Sequence, residues 1–166
     1  MLKITTKIDT YTPTKKIILT KIFGMIKNEE NLSFRKIKSI EKYLDKEQIY
    51  LVFKNNTFIG FLFYEKLSKQ LIELHGLYLR KEYRGKGYAD KIMKHATKNK
   101  NFSYLGATFI KKIQKMLLNH HFNKIKFSDL TWQEKINFIK PRLKLYRLKE
   151  VFRHSKKANL ILMKKQ

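Results

Sequence analysis

The sequence predicts a single α/β domain over residues 1–166, built as a mixed sheet with helices on both faces. Three observations carry this expectation. Strand-like alternation and helical spacing take turns along the whole chain. Some strand segments follow one another directly and others are separated by helices, which mixes antiparallel and parallel neighbours in one sheet. A hydrophobic fraction of 43% over 166 residues is enough for a sizeable core.

The elements follow in order. Residues 2–8 alternate and read as a first strand. Thr12 or Thr14 can cap a helix over 15–27, with Ile17, Ile18, Ile22, Met25 and Ile26 as its apolar stripe. Ser33 can cap a second helix to about Leu44, with Phe34, Ile37, Ile40 and Leu44 inward. Strands at 49–53 and 57–64 flank Lys54-Asn55-Asn56, a hairpin signal. A strand at 70–79 precedes a helix at 85–98, where Tyr88, Ile92, Met93 and Ala96 share one face. Next come a strand at 102–107 and a helix at 109–120, with Ile110, Ile113, Met116 and Leu117 inward. Strands at 122–130 and 158–165 close the chain and enclose a basic insert at 131–157.

The junction between the strand at 70–79 and the helix after it is the most informative stretch. It reads Arg84-Gly85-Lys86-Gly87-Tyr88-Ala89. Glycines let the backbone approach a phosphate closely and leave amide N–H groups pointing at it. The helix N-terminus adds partial positive charge, and Arg84 and Lys86 add full charges. A nucleotide P-loop needs G-x-x-x-x-G-K-[S/T], which the chain lacks. A dinucleotide fingerprint needs a third small residue where Asp90 stands.

What fits is R-x-x-G-x-A, with Leu79-Arg80-Lys81 at the V-x-P-like position upstream. This resembles the coenzyme A-binding motif of the GCN5-related N-acetyltransferase (GNAT) superfamily. By motif the resemblance covers residues 70–96, and by element order about 1–130. It implies a mostly antiparallel sheet splayed between its fourth and fifth strands, with acetyl-CoA as cofactor. The pantetheine arm is then expected on the backbone around Leu77 and Leu79, and the pyrophosphate on the amides of Arg84, Gly85, Lys86, Gly87, Tyr88 and Ala89. A backbone N–H near Leu77 is expected to stabilise an oxyanion.

Direct transfer to an amine needs a proton acceptor for the ammonium and a proton donor for the thiolate. Glu73 stands eleven residues before Arg84, the offset of the catalytic glutamate in histone-type members, and is the base that the resemblance implies. His75 shares its strand face by alternation. The resemblance also implies a tyrosine donor on the helix after the fifth strand, and here the chain departs: Leu117 occupies that position. Tyr104, His120 and His121 are the substitutes at hand. A metal role for the histidine pair is not expected, since no carboxylate or cysteine has ligand spacing around it. A lysine amine, with a pKa near ~10.4, needs deprotonation, whereas an α-amine near ~7.7–8.0 scarcely does. Sparse acid–base equipment therefore suits α-amines.

The net charge of +25 comes from 38 Lys plus Arg against 13 acids. Such a balance is the electrostatic footprint of a nucleic-acid partner, or else compositional drift. Within the insert, Lys140, Arg142, Lys144, Arg147, Lys149 and Arg153 are interleaved with Trp132, Phe138, Tyr146 and Phe152. Basic residues among aromatics can track phosphates and stack bases. With no cysteine there is neither a disulfide nor a cysteine–zinc site. No segment reaches about 18 apolar residues and no apolar signal region opens the chain, so a cytoplasmic protein without membrane contact is expected. The expected function is CoA-dependent acylation, most readily acetylation, of an amine on or associated with a nucleic acid: aminoacyl-tRNA, a ribosomal or DNA-binding protein, or a base amine. Acetylation of a small amine or peptide is the alternative, and a non-catalytic nucleic-acid-binding module is the third.

Overall fold

The order of elements follows the sequence pattern. The structure, a computed structural model, describes residues 1–8, 14–29, 32, 35–142 and 160–166. Its elements are β1 (Leu2–Thr5), α1 (Lys15–Lys27), α2 (Ile37–Asp45), β2 (Ile49–Lys54), β3 (Thr57–Lys66), β4 (Leu71–Leu79), α3 (Tyr88–Ala96), β5 (Ser103–Thr108), α4 (Lys111–Asn119), β6 (Asn123–Ile125), α5 (Trp132–Ile139) and β7 (Ile161–Lys165). The strands form one sheet in the order β1-β2-β3-β4-β5-β7-β6. β4 and β5 are parallel, while β1–β2, β2–β3, β5–β7 and β6–β7 are antiparallel. The mixed sheet expected from the sequence is therefore present. Contacts gather into two compact units, Met1–Tyr64 with Gly76–Ala96, and Glu65–His75 with Thr97–Gln166.

In the first unit, Asn55 and Asn56 both have positive φ (47° and 63°) and turn β2 into β3. Asparagine tolerates this conformation, which matches the twist of a hairpin. Ile18, Ile22 and Ile26 of α1 and Ile40 and Leu44 of α2 pack on Ile49, Leu51, Phe53, Phe58, Phe61 and Phe63. Each such fully buried side chain contributes about 1.5–3 kcal/mol of hydrophobic free energy. α3 takes the other face: its His95 meets Tyr50 edge to ring at 5.6 Å, and Tyr50 alternates with Ile49 and Leu51.

Two expected core positions are outside. Ile17 is 46% and Ile37 45% exposed. The stripe at 18, 22 and 26 already covers the core-facing side of α1, and Ile37 opens α2, where the first turn overhangs the core. Thr14 is the N-cap of α1 but makes no side-chain cap, and α2 begins after Lys36. Thr12, Ser33 and Phe34 lie outside the described residues.

In the second unit, β4 and β5 pair from Leu71↔Ser103 to Leu74↔Gly106. One face carries Leu71, Leu105 and Leu162 against Phe138 of α5, with Leu67 and Leu130. α4 covers the opposite face, where Leu117 sits on Gly106 so closely that a Cβ there would lie 2.9 Å from Leu117 Cδ1. Helices thus cover both faces within each unit. The strand expected at 122–130 shrinks to Asn123–Ile125, because a 3-10 turn at Phe127–Asp129 follows. The described part of the basic insert is α5, started by a capping box in which Thr131 and Glu134 satisfy each other's backbone N–H. Lys144, Tyr146, Arg147, Lys149, Phe152 and Arg153 lie outside the described residues.

Candidate active site

The glycine-rich junction does not pass straight from strand to helix. A 3-10 turn at Lys81–Tyr83 intervenes, and α3 starts at Tyr88. The delay follows from Gly85 and Gly87, whose φ angles of +76° and +73° break any helix before Tyr88. A Cβ built on either glycine meets nothing within 4 Å. Both glycines are therefore fixed by conformation, and the space beside them is open. Lys91 N–H donates to Gly87 C=O at 3.2 Å and opens the helical ladder. The first amides of a helix have no intrahelical acceptor, so those from Tyr88 onward form the anion-facing end of α3.

Arg84 has a different place from the one expected. Its backbone N–H donates to Lys81 C=O at 3.1 Å, so this amide belongs to the turn rather than the cradle. Its side chain is a brace. Nε donates to Leu79 C=O at 2.7 Å, and Nη2 pairs with Glu29 at 2.6 Å. The guanidinium also lies 5.2 Å from the centre of the Tyr78 ring, itself stacked on Phe61. Lys86 is exposed, with its ammonium 6.0 Å from the Tyr83 ring. The strand end that leads into the cradle is shaped by two further glycines. A Cβ on Gly60 would stand 2.2 Å from Tyr78 O, so only glycine admits the close approach of β3 to β4. Gly76 has φ +63° and packs against Phe63. Leu77 is half-buried and Leu79 buried beyond it.

Glu73 belongs to the second unit. It pairs in register with Leu105 and so points to the α5 face. Its side chain is 2% exposed, and Arg142, just past α5, grips it with both terminal nitrogens, Nη1 reaching Oε2 at 3.3 Å and Nη2 meeting Oε1. The same guanidinium donates to Phe138 C=O and lies 3.6 Å from the Phe138 ring centre. Arg142 was expected on the outer basic surface; its charge instead faces inward onto a carboxylate. Two of about four acceptor sites on Glu73 are taken. His75 is half-buried and follows on the same face, since the irregularity at Gly76 falls after it.

Tyr104 pairs with Ile72 and alternates with Leu105, so it faces the α4 side, away from Glu73. Its hydroxyl donates to Asn99 C=O at 3.0 Å. Burial pushes this hydroxyl above its ordinary pKa, and the Asn99 bond pulls the other way. The structure does not bring Glu73 and Tyr104 together. His120 caps the C-terminus of α4, and His121, with φ +63°, makes the turn into β6. Leu117 fills the space over Gly106 with no polar atom. Among the described residues, no group of three His, Asp or Glu is arranged to hold a metal. Sequence reasoning missed Arg142 as the partner of Glu73 and Glu29 as the partner of Arg84. No local signal marks pairs separated by 69 and 55 residues.

A model of the acetyltransferase (GNAT) family matches residues 19–115, more than half of the chain. The chain belongs to the GNAT family. It is an N-acetyltransferase, and its cofactor is acetyl-CoA. Among solved structures it is similar to a GNAT acetyltransferase from Staphylococcus aureus MU50, at 16% identity and TM-score 0.62, covering 99% of this chain and 98% of that one. The Campylobacter jejuni N-acetyltransferase PseH, solved with acetyl-CoA, is similar at 16% identity and TM-score 0.57, over 100% and 99% of the two chains. N-acetylglutamate synthase from Neisseria gonorrhoeae, solved with coenzyme A and N-acetyl-glutamate, gives TM-score 0.66 at 11% identity. There the match covers 99% of this chain but only 35% of the synthase. At these identities the likeness is one of fold. No curated protein matches by sequence. The residues present suit the GNAT cofactor: two positive-φ glycines with open space beside them and a helix N-terminus fit a pyrophosphate.

Proposed function

We propose that this GNAT enzyme acetylates an amine on or associated with a nucleic acid, and that the amine is weakly basic, as the α-amine of an aminoacyl-tRNA is. The observation that carries the reading is the charge of +25, with 38 basic residues against 13 acids. A scarcity of acids distinguishes such a surface from one that is merely rich in lysine. Two features of the site support the choice of amine. Leu117 stands where a tyrosine donor is expected, and Glu73 already serves Arg142. An amine with a pKa of about 7.7–8.0 reaches its neutral form near neutral pH without a strong base.

Bound acetyl-CoA supplies an acyl group activated as a thioester. The chain's own residues bind, orient and manage protons. Amides of Gly85, Lys86, Gly87, Tyr88 and Ala89 hold the pyrophosphate, and the Lys86 ammonium adds charge. The backbone of Leu77 aligns the pantetheine arm. Arg84 fixes the loop rather than the ligand. Glu73 receives the ammonium proton through the lone pairs that Arg142 leaves, directly or through water, with His75 beside it on the strand face. A cytoplasmic location, where charged tRNA is used, is part of this proposal.

The test is transfer of labelled acetyl groups to charged tRNA, basic proteins and small amines at two salt concentrations. Transfer to charged tRNA is expected, with a slope of log affinity against log salt of about −0.7 to −0.9 per phosphate neutralised. Gly87→Glu should abolish CoA binding in calorimetry, since a carboxylate and a strained φ both oppose the pyrophosphate. Salt-independent transfer confined to small amines overturns the polyanion reading. It favours the second one, acetylation of a small amine or peptide.

A further inference from the structure

α5 covers the sheet with one side and leaves an unusual face outside. Phe138 and Glu134 are buried, whereas Trp132, Ile136 and Ile139, at i, i+4 and i+7, are 76%, 40% and 37% exposed. Trp132 is the chain's single tryptophan. Just before the helix, Phe127 is 40% exposed, and the Lys135 ammonium stands 5.9 Å from its ring and 3.1 Å from Ser128 O. Phe127 also lines a groove of about 570 Å³ with Lys124 and Lys126 among its walls.

The local electrostatics are one-sided. Lys124, Lys126 and Lys140 are exposed. Among the described residues of this stretch, Asp129 and Glu134 are taken up by local hydrogen bonds. Asp129 accepts from Lys126 N–H at 2.8 Å and from the Ser128 hydroxyl at 3.2 Å. Glu134 accepts from Thr131 N–H at 2.9 Å and from the Ser68 hydroxyl at 3.0 Å. Phe127 thus stands beside Lys135 and along a groove walled by Lys124 and Lys126, and Trp132 stands exposed three residues before Lys135 on the same helix. An apolar protein partner needs the rings but gains nothing from the lysines. A duplex presents phosphates but hides its base faces in the stack. A single strand offers both.

We propose that the outer face of α5 and the turn before it form a docking surface for single-stranded nucleic acid, on which Trp132 stacks an unpaired base and Lys124, Lys126, Lys135 and Lys140 neutralise phosphates. The proposal rests on the polyanion reading above and gives it a location. It uses none of the residues assigned to the cofactor, so binding and catalysis can be separated by mutation.

The sole tryptophan makes the test direct. A short oligouridylate is titrated into the 166-residue chain at low salt while tryptophan emission is followed, with anisotropy of a labelled oligouridylate in parallel. Quenching is expected to track binding. Trp132→Ala should weaken affinity about 5- to 150-fold, and Trp132→Phe much less. The pair Lys124→Gln with Lys126→Gln should flatten the salt slope by about 1.4. Acetyl transfer to a small amine should be unchanged in all three. Binding that leaves emission unchanged and survives Trp132→Ala overturns this surface while sparing the polyanion reading. Failure to bind any oligouridylate overturns this surface, while the polyanion reading falls only if transfer to charged tRNA is also absent or independent of salt; an emission shift that depends on protein concentration alone assigns the face to a second copy of the chain.

Discussion

Arg142 and Glu73 form the most consequential side-chain pair described. A carboxylate 2% exposed cannot be left alone, because removing one partner of a buried ion pair strands the other. Arg142→Leu is therefore expected to cost about 3 kcal/mol in chemical denaturation, and Glu73→Leu with Arg142→Leu together much less. If the single and double variants lose the same stability, the pair is not what holds that corner. Tyr104 makes a second residue-scale prediction. Its hydroxyl titrates higher folded than unfolded, so its contribution is present below about pH 10 and is lost as pH rises through the folded value. Tyr104→Phe should flatten the alkaline loss of stability and leave kcat within about twofold, since the hydroxyl serves Asn99 on the face away from Glu73. A large fall in kcat would restore Tyr104 as a proton donor. The turn at Gly85 and Gly87 was legible because φ > 0 is a local demand. The inward turn of Arg142 was not, because nothing within a few residues of it announces a carboxylate 69 positions away.

At the scale of elements, α5 depends on its start. Burial acts to raise the Glu134 carboxyl, but hydrogen bonds from Thr131 and Ser68 and the Lys164 charge outweigh it and hold the carboxyl below its ordinary 4.5. Its contribution is present above that value and is lost as pH falls through the folded one. Thr131→Ala is expected to cost about 1 kcal/mol and to shift the acid unfolding midpoint upward, measured by helical circular dichroism. An unchanged midpoint would show that packing of Phe138 alone sustains the helix. The T-x-x-E signal for this start stands in the sequence, yet the surrounding basic residues read as an insert and masked it. The strand expected at 122–130 failed for another reason. Apolar residues there, such as Phe127, sit in a 3-10 turn, and short apolar runs do not distinguish strand from turn.

At the scale of the whole molecule, element order was the legible part. Strand alternation and helical spacing survive any surface composition, so a chain this basic still announces its sheet. The two compact units were not legible. Both β3 and β4 run across the division without a break, so no linker composition marks it. Within the first unit, the Arg84–Glu29 pair has a further consequence. It joins the segment just after α1 to the glycine loop, two stretches far apart in the chain. Fastening them makes their opening a shared event, so a ligand that stills one stills the other. Hydrogen exchange is expected to slow at the C-terminal amides of α1 when acetyl-CoA binds, and the effect should vanish in Glu29→Gln. With the cofactor held as proposed, the brace would act as a relay, reporting occupancy of the glycine loop to α1.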